Sequence, residues 1–427
     1  MNDANSQPSI GPAPSLGLGE RTRVVVTTDI GGTDPDDFQS MVHLLLYADM
    51  LDIEGLISSP YGNGRAADIH AVIDAYAEDL RNLRTHRPTY PDADQLRAVV
   101  AQGALELPPD GGVSDATEGS ELLVRAARRE DPRPLHVLAW GGLEDIAQAL
   151  HDAPDIAGRV RIHWVGGPNK TMGVDAYHYL EQNHRDLSFI ESNSTYLGFF
   201  RAGEGTLAPK EFIAAHAEGR GALGEFFAGQ HWYAKMGDTP TVTWVLGGAQ
   251  RPDQDSWGGR FVRIWDGRHS VLRHPAHADA DVVENYGVVE LLVEAPGDLP
   301  ADHVTDLMFD NRVQGPFSPA VRVDESTLRF RFAPRDYRRM PYLIRSTHPG
   351  LDGITGSFTS APPPPERWKH PSDAYADWWC DDQRADLAEG GMPGTGTLSP
   401  WRTAAMADFA QRLEWCRSAA ELPVPGA

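Results

Sequence analysis

The sequence has few of the features that mark secreted, membrane-spanning or nucleic-acid-binding proteins. Its only two cysteines are Cys380 and Cys416. They are too few for a disulfide framework and suit a reducing compartment, although a single bridge between them is an alternative. No apolar stretch approaches the ~20 residues that span a bilayer. Positive charge is scarce, since 38 Lys and Arg face 61 Asp and Glu, for a net charge of −23. Such a surface repels nucleic acid and anionic membranes, so we expect neither as a partner.

A secretory signal is also missing from the start of the chain. Residues 1–20 are polar and rich in Pro, Gly and Ser, without a basic opening or an apolar centre. We therefore predict a disordered tail and a cytoplasmic protein, whereas a gene start further upstream would allow secretion. The chain of 427 residues exceeds one ordinary domain, and its 41% hydrophobic content can bury a large core.

Residues 21–258 alternate short apolar runs with segments of helical periodicity. Val24, Val25 and Val26 form a β-branched run typical of a strand that is buried on both faces. Further strands are predicted at residues 53–57, 135–139, 161–165 and 187–190, with amphipathic segments between them. This alternation predicts an α/β domain with a mostly parallel sheet and helices on both faces. In such sheets ligands bind beyond the carboxyl ends of the strands.

The pattern changes after residue 258. Residues 259–361 contain short strand-like runs between Pro, Gly and Asp, without an amphipathic helix, which predicts an antiparallel β-sandwich. Residues 362–427 begin with a stiff proline run and end in a helical segment. Ser399 is expected to cap that helix, with Pro400 as its first residue. We expect this segment to pack back on the α/β domain, which makes the sandwich an insertion.

An acidic loop follows the first predicted strand. Residues 29–37 read Asp-Ile-Gly-Gly-Thr-Asp-Pro-Asp-Asp. Four carboxylates this close repel one another unless a cation lies among them, and the glycines let the backbone fold tightly around it. Several carboxylate oxygens suit Ca²⁺, or Mg²⁺ in a small octahedral cage. The alternative is an acidic turn in which Asp36 or Asp37 caps the next helix. The position directly after a core strand favours a metal site.

This loop resembles the aspartate signature of the inosine-uridine nucleoside hydrolases. Other segments resemble that family in the same order along the chain: Ser58–Asn63, Trp140–Leu143, Val165–Gly167, Glu191–Asn193 and Gly237–Pro240. The sequence is more similar still to a bacterial subgroup of nucleoside-hydrolase-like, cellulose-binding proteins. The segments shared with that subgroup are Asp-Ile-Gly-Gly, Val165–Lys170, Asn193–Tyr196, Ser256–Phe261 and a Trp-rich C-terminal region.

The resemblance implies hydrolysis of an N-glycosidic bond. By its motifs, Ca²⁺ would be bound by Asp29, Asp37, Asp238 and the backbone carbonyl of Trp140, and would hold the attacking water. Asp29 or Asp36 would take the proton as that water attacks the anomeric carbon through an oxocarbenium-like state. The substrate sugar would be held by Asp36, Asn63, Asn169, Glu191 and Asn193. For Glu191 and Asn193 the alternative is a solvated strand end, and for Asn63 a turn residue.

Two positions depart from the family pattern. Gly237 stands where the family has a histidine that helps the purine leave, and Glu144-Asp145 replaces a Thr-Asn pair. Loss of the leaving-group acid costs about a hundredfold in rate, or more, unless another group replaces it. His178, His184 and His231 are candidates, although surface or core roles are commoner for such histidines. The metal and sugar sites are thus expected to be retained and the base pocket to be rebuilt.

Two functions are consistent with the sequence. The first is a Ca²⁺-dependent hydrolase of an N-glycosidic or related glycosidic bond, with a small nucleoside or sugar as substrate. The second is a non-catalytic carbohydrate-binding protein of the cellulose-binding type, with a polysaccharide as partner. The sequence leaves open the leaving group, the sugar and the formation of a homo-oligomer.

Overall fold

The largest sheet of the protein has eight strands. The computed structural model describes residues 20–32, 35–59, 64–108, 110–201, 203–247, 251–309 and 318–417. The strand order in this sheet is β3-β2-β1-β4-β5-β6-β17-β7. The bounds are β1 Thr22–Thr28, β2 Leu51–Ser58, β3 Val100–Gln102, β4 Leu135–Ala139, β5 Val160–Val165, β6 Ser188–Ser192, β7 Phe261–Arg263 and β17 Trp378–Asp381.

The predicted mostly parallel sheet is confirmed. Every neighbouring pair from β3 to β17 is parallel, and only β7 runs antiparallel to its neighbour. Val24 and Val26 belong to one hydrophobic cluster and Val25 to another, so β1 buries both of its faces. Because β-branched side chains pack well on a pleated surface, this run suits a central strand.

Helices cover both faces of the sheet. Their bounds are α1 Asp36–Leu46, α2 Ala66–His86, α3 Ala93–Arg97, α4 Glu118–Arg128, α5 Glu144–Asp152, α6 Pro168–Met172, α7 Val174–Asn183, α8 Leu197–Arg201, α9 Pro209–Phe212, α10 Gly221–Gln230, α11 Thr239–Leu246, α12 Pro365–Trp368 and α13 Thr395–Glu414. Helices α1, α2, α10 and α13 pack into the cluster around Val24, and α4, α5 and α7 into that around Val25. None of the helices in the described ranges is long and apolar enough to cross a membrane.

Two smaller sheets form a β-sandwich, as predicted. Their strand orders are β13-β14-β10-β8 and β12-β11-β15-β16-β9, and they share one hydrophobic cluster that includes Leu291, Phe330, Ile344 and Phe358. Most pairs are antiparallel, but β8 and β9 pair in parallel with β10 and β16. The bounds are β8 His269–Arg273, β9 Val282–Glu284, β10 Val288–Glu294, β11 Thr305–Phe309, β12 Ser318–Pro319, β13 Val321–Asp324, β14 Thr327–Phe332, β15 Arg339–Ser346 and β16 Thr355–Ala361. The domain boundaries at residues 258 and 361 stay predictions.

The C-terminal segment contributes both a strand and a helix to the α/β part. Strand β17 pairs with β6, and Phe409 and Leu413 of α13 are buried in the cluster around Val24. The predicted start of α13 is wrong: the helix begins at Thr395, after Gly394 with φ of 76°, and Pro400 lies inside it. Glycine adopts this left-handed conformation without the Cβ clash of other residues. The two cysteines are free and buried.

Candidate functional site

The ends of β1 and β4 lie side by side at the carboxyl edge of the large sheet. Asp29 follows β1, and Trp140 and Gly141 follow β4; the amide of Trp140 donates to the carbonyl of Thr27 at 2.7 Å. A Cβ atom added to Gly141 would lie 2.8 Å from Cβ of Asp29 and 2.9 Å from its amide nitrogen. Only glycine therefore allows the two loops to approach this closely.

Replacing Gly141 with Ala should destabilise the protein by about 1–3 kcal/mol, because neither Cβ nor the backbone of Asp29 can yield easily. The matched control is Gly111→Ala, where a new Cβ would meet nothing within 4 Å. Urea denaturation of the two variants measures the difference. Equal free energies of unfolding for both variants would contradict the close approach of the two loops.

Three buried aspartates come together beside this edge. Asp36 and Asp37 begin α1, and Asp238 immediately precedes α11. One carboxylate oxygen from each lies within 4.8 Å of the others. Thr28 donates a hydrogen bond of 2.5 Å to Oδ1 of Asp37, which ties the end of β1 to the start of α1. Residues some two hundred positions apart in the chain thus share one acidic site. The role of Asp37 and Asp238 as metal ligands stays a prediction.

The electrostatics of this aspartate cluster fit a divalent cation. Burial raises the pKa of Asp238 well above its usual value, and the charges of Asp37, Asp36 and Asp29 raise it further. Oδ2 of Asp238 is buried and has no hydrogen-bond partner among the described residues. A buried carboxylate oxygen without a donor is costly, and several such oxygens are the ligands that hard cations prefer. Asp36, Asp37 and Asp238 are therefore suited to hold a metal ion, whereas Asp29 is not one of the three and is close enough only for its charge to raise the pKa of Asp238.

The turn at Gly237 contacts the carboxylate of Asp36. The amide of Gly237 donates to Oδ2 of Asp36 at 3.1 Å, and a Cβ atom at this position would collide with the same oxygen. Nζ of Lys235 lies 3.6 Å from Oδ1 of Asp36. Met236, between them, has a positive φ of 49°, a strained conformation for a residue other than glycine. This turn holds the Asp36 carboxylate where a side chain at position 237 would begin.

Glu191 lies at the centre of a buried ion network. Its carboxylate accepts hydrogen bonds from Lys170 at 2.7 Å, Tyr177 at 2.9 Å and Arg268 at 3.0 and 3.1 Å. Burial alone would raise the pKa of Glu191, but the charges of Arg268 and Lys170 outweigh it and lower the pKa to about 2. Arg268 lies just before β8, so this cluster joins β6 to the beginning of the sandwich strands. A solvated strand end is excluded for this residue, whose side chain is fully buried.

Asn193 is also buried and hydrogen-bonded within the protein. Its amide nitrogen donates to Glu191 at 2.6 Å, and its oxygen accepts from the amide of Gly167 at 3.0 Å. Asp381, at the end of β17, accepts from the backbone amides of Asn193, Ser194 and Thr195 at 2.9 to 3.1 Å. Burial raises the pKa of Asp381 to about 6. The C-terminal segment thereby fixes the loop after β6, a role that the sequence did not indicate.

Asn169 and Asn63 are the remaining predicted sugar-binding residues, and the structure describes only Asn169. Nδ2 of Asn169 donates to the carbonyls of Trp140 at 3.1 Å and Val165 at 2.9 Å, so Asn169 positions the carbonyl predicted to bind the metal. The indole of Trp164 donates to the carbonyl of Gly141 at 2.8 Å and supports the same loop. Asn63 lies outside the described residues, and its predicted role stays a prediction.

The histidines considered as replacement acids make contacts elsewhere. His178 lies 3.6 Å from Glu181 and against the ring of His269. His184 contacts Tyr179, and His231 stacks on Trp232. None of these contacts involves the aspartate cluster. The residues that sequence reasoning missed are Lys235, Lys170, Arg268 and Asp381. Only Lys170 had a signal, since it ends the segment Val165–Lys170 that the related subgroup shares.

The parallel sheet and the acidic site at its carboxyl edge define a nucleoside-hydrolase-like protein. The family model that matches the chain over residues 23–261 is described as "Cellulose-binding Sde182, nucleoside hydrolase-like domain". The chain belongs to this family. A search of curated proteins gave no match.

Solved structures with similar folds include three described as nucleoside-hydrolase-related or as hydrolases. A nucleoside hydrolase-related hypothetical protein from Saccharophagus degradans, associated with carbohydrate metabolism, is 18% identical; the match covers 80% of this chain and 100% of that one, with a TM-score of 0.49. The inosine-uridine preferring nucleoside hydrolase from Bacillus anthracis is 16% identical over 57% of this chain and 85% of that one, with a TM-score of 0.37. The purine-preferring ribonucleoside hydrolase from Gardnerella vaginalis is 15% identical over 53% and 76%, with a TM-score of 0.29.

Proposed function

We propose that the protein is a Ca²⁺-dependent hydrolase that cleaves an N-glycosidic or closely related glycosidic bond of a small sugar substrate. The observation that carries this proposal is the buried aspartate cluster with the unpartnered Oδ2 of Asp238. The buried Oδ2 of Asp238 has no hydrogen-bond donor among the described residues, and burial together with the charges of Asp37, Asp36 and Asp29 raises the pKa of this carboxylate. Membership of the nucleoside-hydrolase-like family supports the same reaction class.

The proposed ligands of the ion are Asp29, Asp37, Asp238 and the carbonyl of Trp140. Oxygen-only ligation favours Ca²⁺ over softer metals. When bound, a Ca²⁺ ion would supply a Lewis acid that lowers the pKa of a water molecule and anchors vicinal sugar hydroxyls. Thr28 would hold Asp37, and Asn169 would hold the Trp140 carbonyl, in the orientations needed for binding. Orientation of this kind is a usual role of residues one layer away from a metal.

The proposed proton acceptor is Asp29 or Asp36. Asp36 is fixed by Gly237 and lies near Lys235, so its carboxylate faces the other aspartates with a defined orientation. A carboxylate held beside the attacking water can accept its proton as the bond to the anomeric carbon forms. Glu191 and Asn193 stay proposed sugar-binding residues. Their hydrogen bonds to Lys170, Arg268 and Gly167 indicate that they would also hold the rim of the site rigid.

The test is hydrolysis of a panel of nucleosides and glycosides by the purified chain, with Ca²⁺ and with a chelator, read as released reducing sugar. We expect release from at least one substrate that depends on Ca²⁺ and is lost in Asp37→Asn. Asp94→Asn, on an exposed side chain far from the cluster in sequence, is the matched control. Ca²⁺-independent release, or release unchanged in Asp37→Asn, would overturn the proposal.

Replacing Gly237 with Ala should weaken Ca²⁺ binding while leaving the stability of the fold almost unchanged. The new Cβ must displace the Asp36 carboxylate, a side-chain end that can move, so the free energy of unfolding should change by less than about 1 kcal/mol. Displacement of one carboxylate from the cluster should weaken Ca²⁺ binding by about tenfold or more. Calorimetric titration with Ca²⁺ and thermal unfolding measure the two effects. Unchanged affinity would show that Asp36 does not contribute to the ion site.

A second candidate function is carbohydrate binding without catalysis. The specific observation in its favour is that Gly237, where the resemblance would place the family's leaving-group acid, has no side chain and donates its amide to Asp36. The family description as cellulose-binding agrees with it. This function predicts retention on cellulose or on a soluble glycan without release of reducing ends. Turnover of any substrate in the panel would exclude it, and failure to be retained on glycans would count against it.

A further inference from the structure

A cavity lies at the opposite edge of the large sheet from the aspartate cluster. Its volume is about 340 Å³, at the lower end of the range for small-molecule sites. It opens at the amino ends of β5 and β6, beneath the end of α11, and its lining includes Arg161, His163, Trp244, Arg251, Arg263 and Trp379. The cavity is thus separated from the proposed metal site by the length of the strands.

Several polar groups in this wall lack partners. Both ring nitrogens of His163, Nε1 of Trp244 and Nε of Arg263 are buried without a hydrogen bond to any described residue. His163 is neutral, because burial lowers its pKa to about 3, so one of its nitrogens is a donor. These nitrogens are shielded from solvent, so they lie behind the wall of the cavity and do not contact its open volume.

The wall also carries positive charge, although the chain as a whole has a net charge of −23. Arg161 makes no ion pair with the residues that the structure describes, and Arg263 donates to the carbonyl of Ser372 at 2.5 Å. Arg251 pairs with Asp253 on the surface. The one carboxylate in the lining, Asp377, accepts a hydrogen bond from Trp379 at 2.8 Å. Among the described residues, Arg161 and Arg263 therefore form no ion pair, and guanidinium groups outnumber carboxylates in the lining.

We propose that this cavity binds a monosaccharide-sized ring that carries an oxyanion, a carboxylate or a phosphate. Guanidinium groups recognise the planar or tetrahedral oxygens of such anions. The indoles of Trp244 and Trp379 supply apolar wall for the faces of a sugar ring. A neutral sugar would leave the guanidinium charges unmatched, and a free anion would leave the indole surfaces without a contact. The combination selects a ring and an anion in one molecule.

The test is calorimetric titration of the full chain with four probes: D-glucuronate, D-glucose 6-phosphate, D-glucose and inorganic phosphate. A chelator is present throughout, so that an ion at the aspartate cluster cannot contribute. We expect one or both charged sugars to bind and to change tryptophan fluorescence, and glucose and phosphate to bind at least about tenfold more weakly. Glucuronate alone would assign a carboxylate, and glucose 6-phosphate alone a phosphate.

Substitutions test whether the charged sugar binds in this cavity. Arg161→Gln, at an exposed position where folding should be unaffected, should weaken binding of the charged sugar about tenfold. Arg125→Gln, also exposed and on α4, is the matched control and should leave binding unchanged. Asp238→Asn should also leave it unchanged, since the aspartate cluster is at the other edge of the sheet. The proposal is overturned if neither charged sugar binds, if glucose or phosphate binds as tightly, if Arg161→Gln has no effect, or if Asp238→Asn abolishes binding.

Discussion

Substitution of Glu191 by Gln is expected to destabilise the protein by about 3–5 kcal/mol, the usual effect of removing one partner from a buried ion pair. Lys170 and Arg268 would remain buried with a neutral amide between them. Arg268 would keep Glu284 at 3.6 Å, whereas Lys170 would lose its only ion pair within the described residues. Burial already lowers the pKa of Lys170 to about 8. Without Glu191 we therefore expect Lys170 to give up its proton on folding.

Chemical denaturation at pH 7 measures this effect. Glu121→Gln, which breaks an exposed pair with Arg125, is the matched control and should change stability by less than about 0.5 kcal/mol. The double variant Glu191→Gln with Lys170→Met should be more stable than Glu191→Gln alone, because no unpaired ammonium is then buried. Equal stability of the single variant and wild type would show that the network does not hold β6 against the sandwich strands.

The ion network around Glu191 should also make the protein less stable at low pH. The pKa of Glu191 in the folded protein, about 2, lies below its ordinary value of 4.5. Folding therefore releases a proton between these values, so the contribution of Glu191 is fully present above pH 4.5 and is lost as pH falls through 2. Unfolding curves of wild type should weaken over this interval, and those of Glu191→Gln should lack this part of the loss.

Local sequence patterns were sufficient for the large sheet and part of the site. The run Val24–Val26 predicts a buried strand because its side chains must be covered on both faces, and the structure buries all three. The loop of residues 29–37 predicts an acidic site because repulsion among its carboxylates requires compensation. Asp238 is different: nothing near it in the sequence indicates a site, and only the resemblance pointed to it.

Long-range partners could not be read from the sequence. Glu191 accepts hydrogen bonds from Arg268, which lies 77 positions further along the chain. Such pairings depend on the three-dimensional packing of the sandwich. Asp381 is likewise isolated in the sequence, yet its carboxylate holds three consecutive amides of the loop after β6. The helix start expected at Ser399 and Pro400 was wrong because Gly394, which the local pattern did not single out, makes the left-handed turn that begins the helix.

Substitution of Asp238 by Asn is expected to change stability in opposite directions with and without metal. In the presence of a chelator the variant should be more stable than wild type. The reason is that the variant no longer buries a carboxylate beside Asp36, Asp37 and Asp29. With Ca²⁺ at 100 times its dissociation constant, wild type should gain about 2.7 kcal/mol, and the variant should gain little.

The pH dependence gives an independent reading of the same site. The pKa of Asp238 in the folded, metal-free protein is raised above 3.8, so folding takes up a proton. Its contribution to stability is therefore fully present below pH 3.8 and is lost as pH rises through the folded-state pKa. Asp238→Asn should remove this loss, and Asp94→Asn, on an exposed side chain, should retain it.

If Asp238→Asn were destabilising under chelator, the carboxylate would be serving a structural role in the metal-free fold. If Ca²⁺ stabilised wild type and Asp238→Asn equally, the ion would bind elsewhere. The opposite signs arise only if the four carboxylates repel one another in the folded chain and a cation relieves that repulsion.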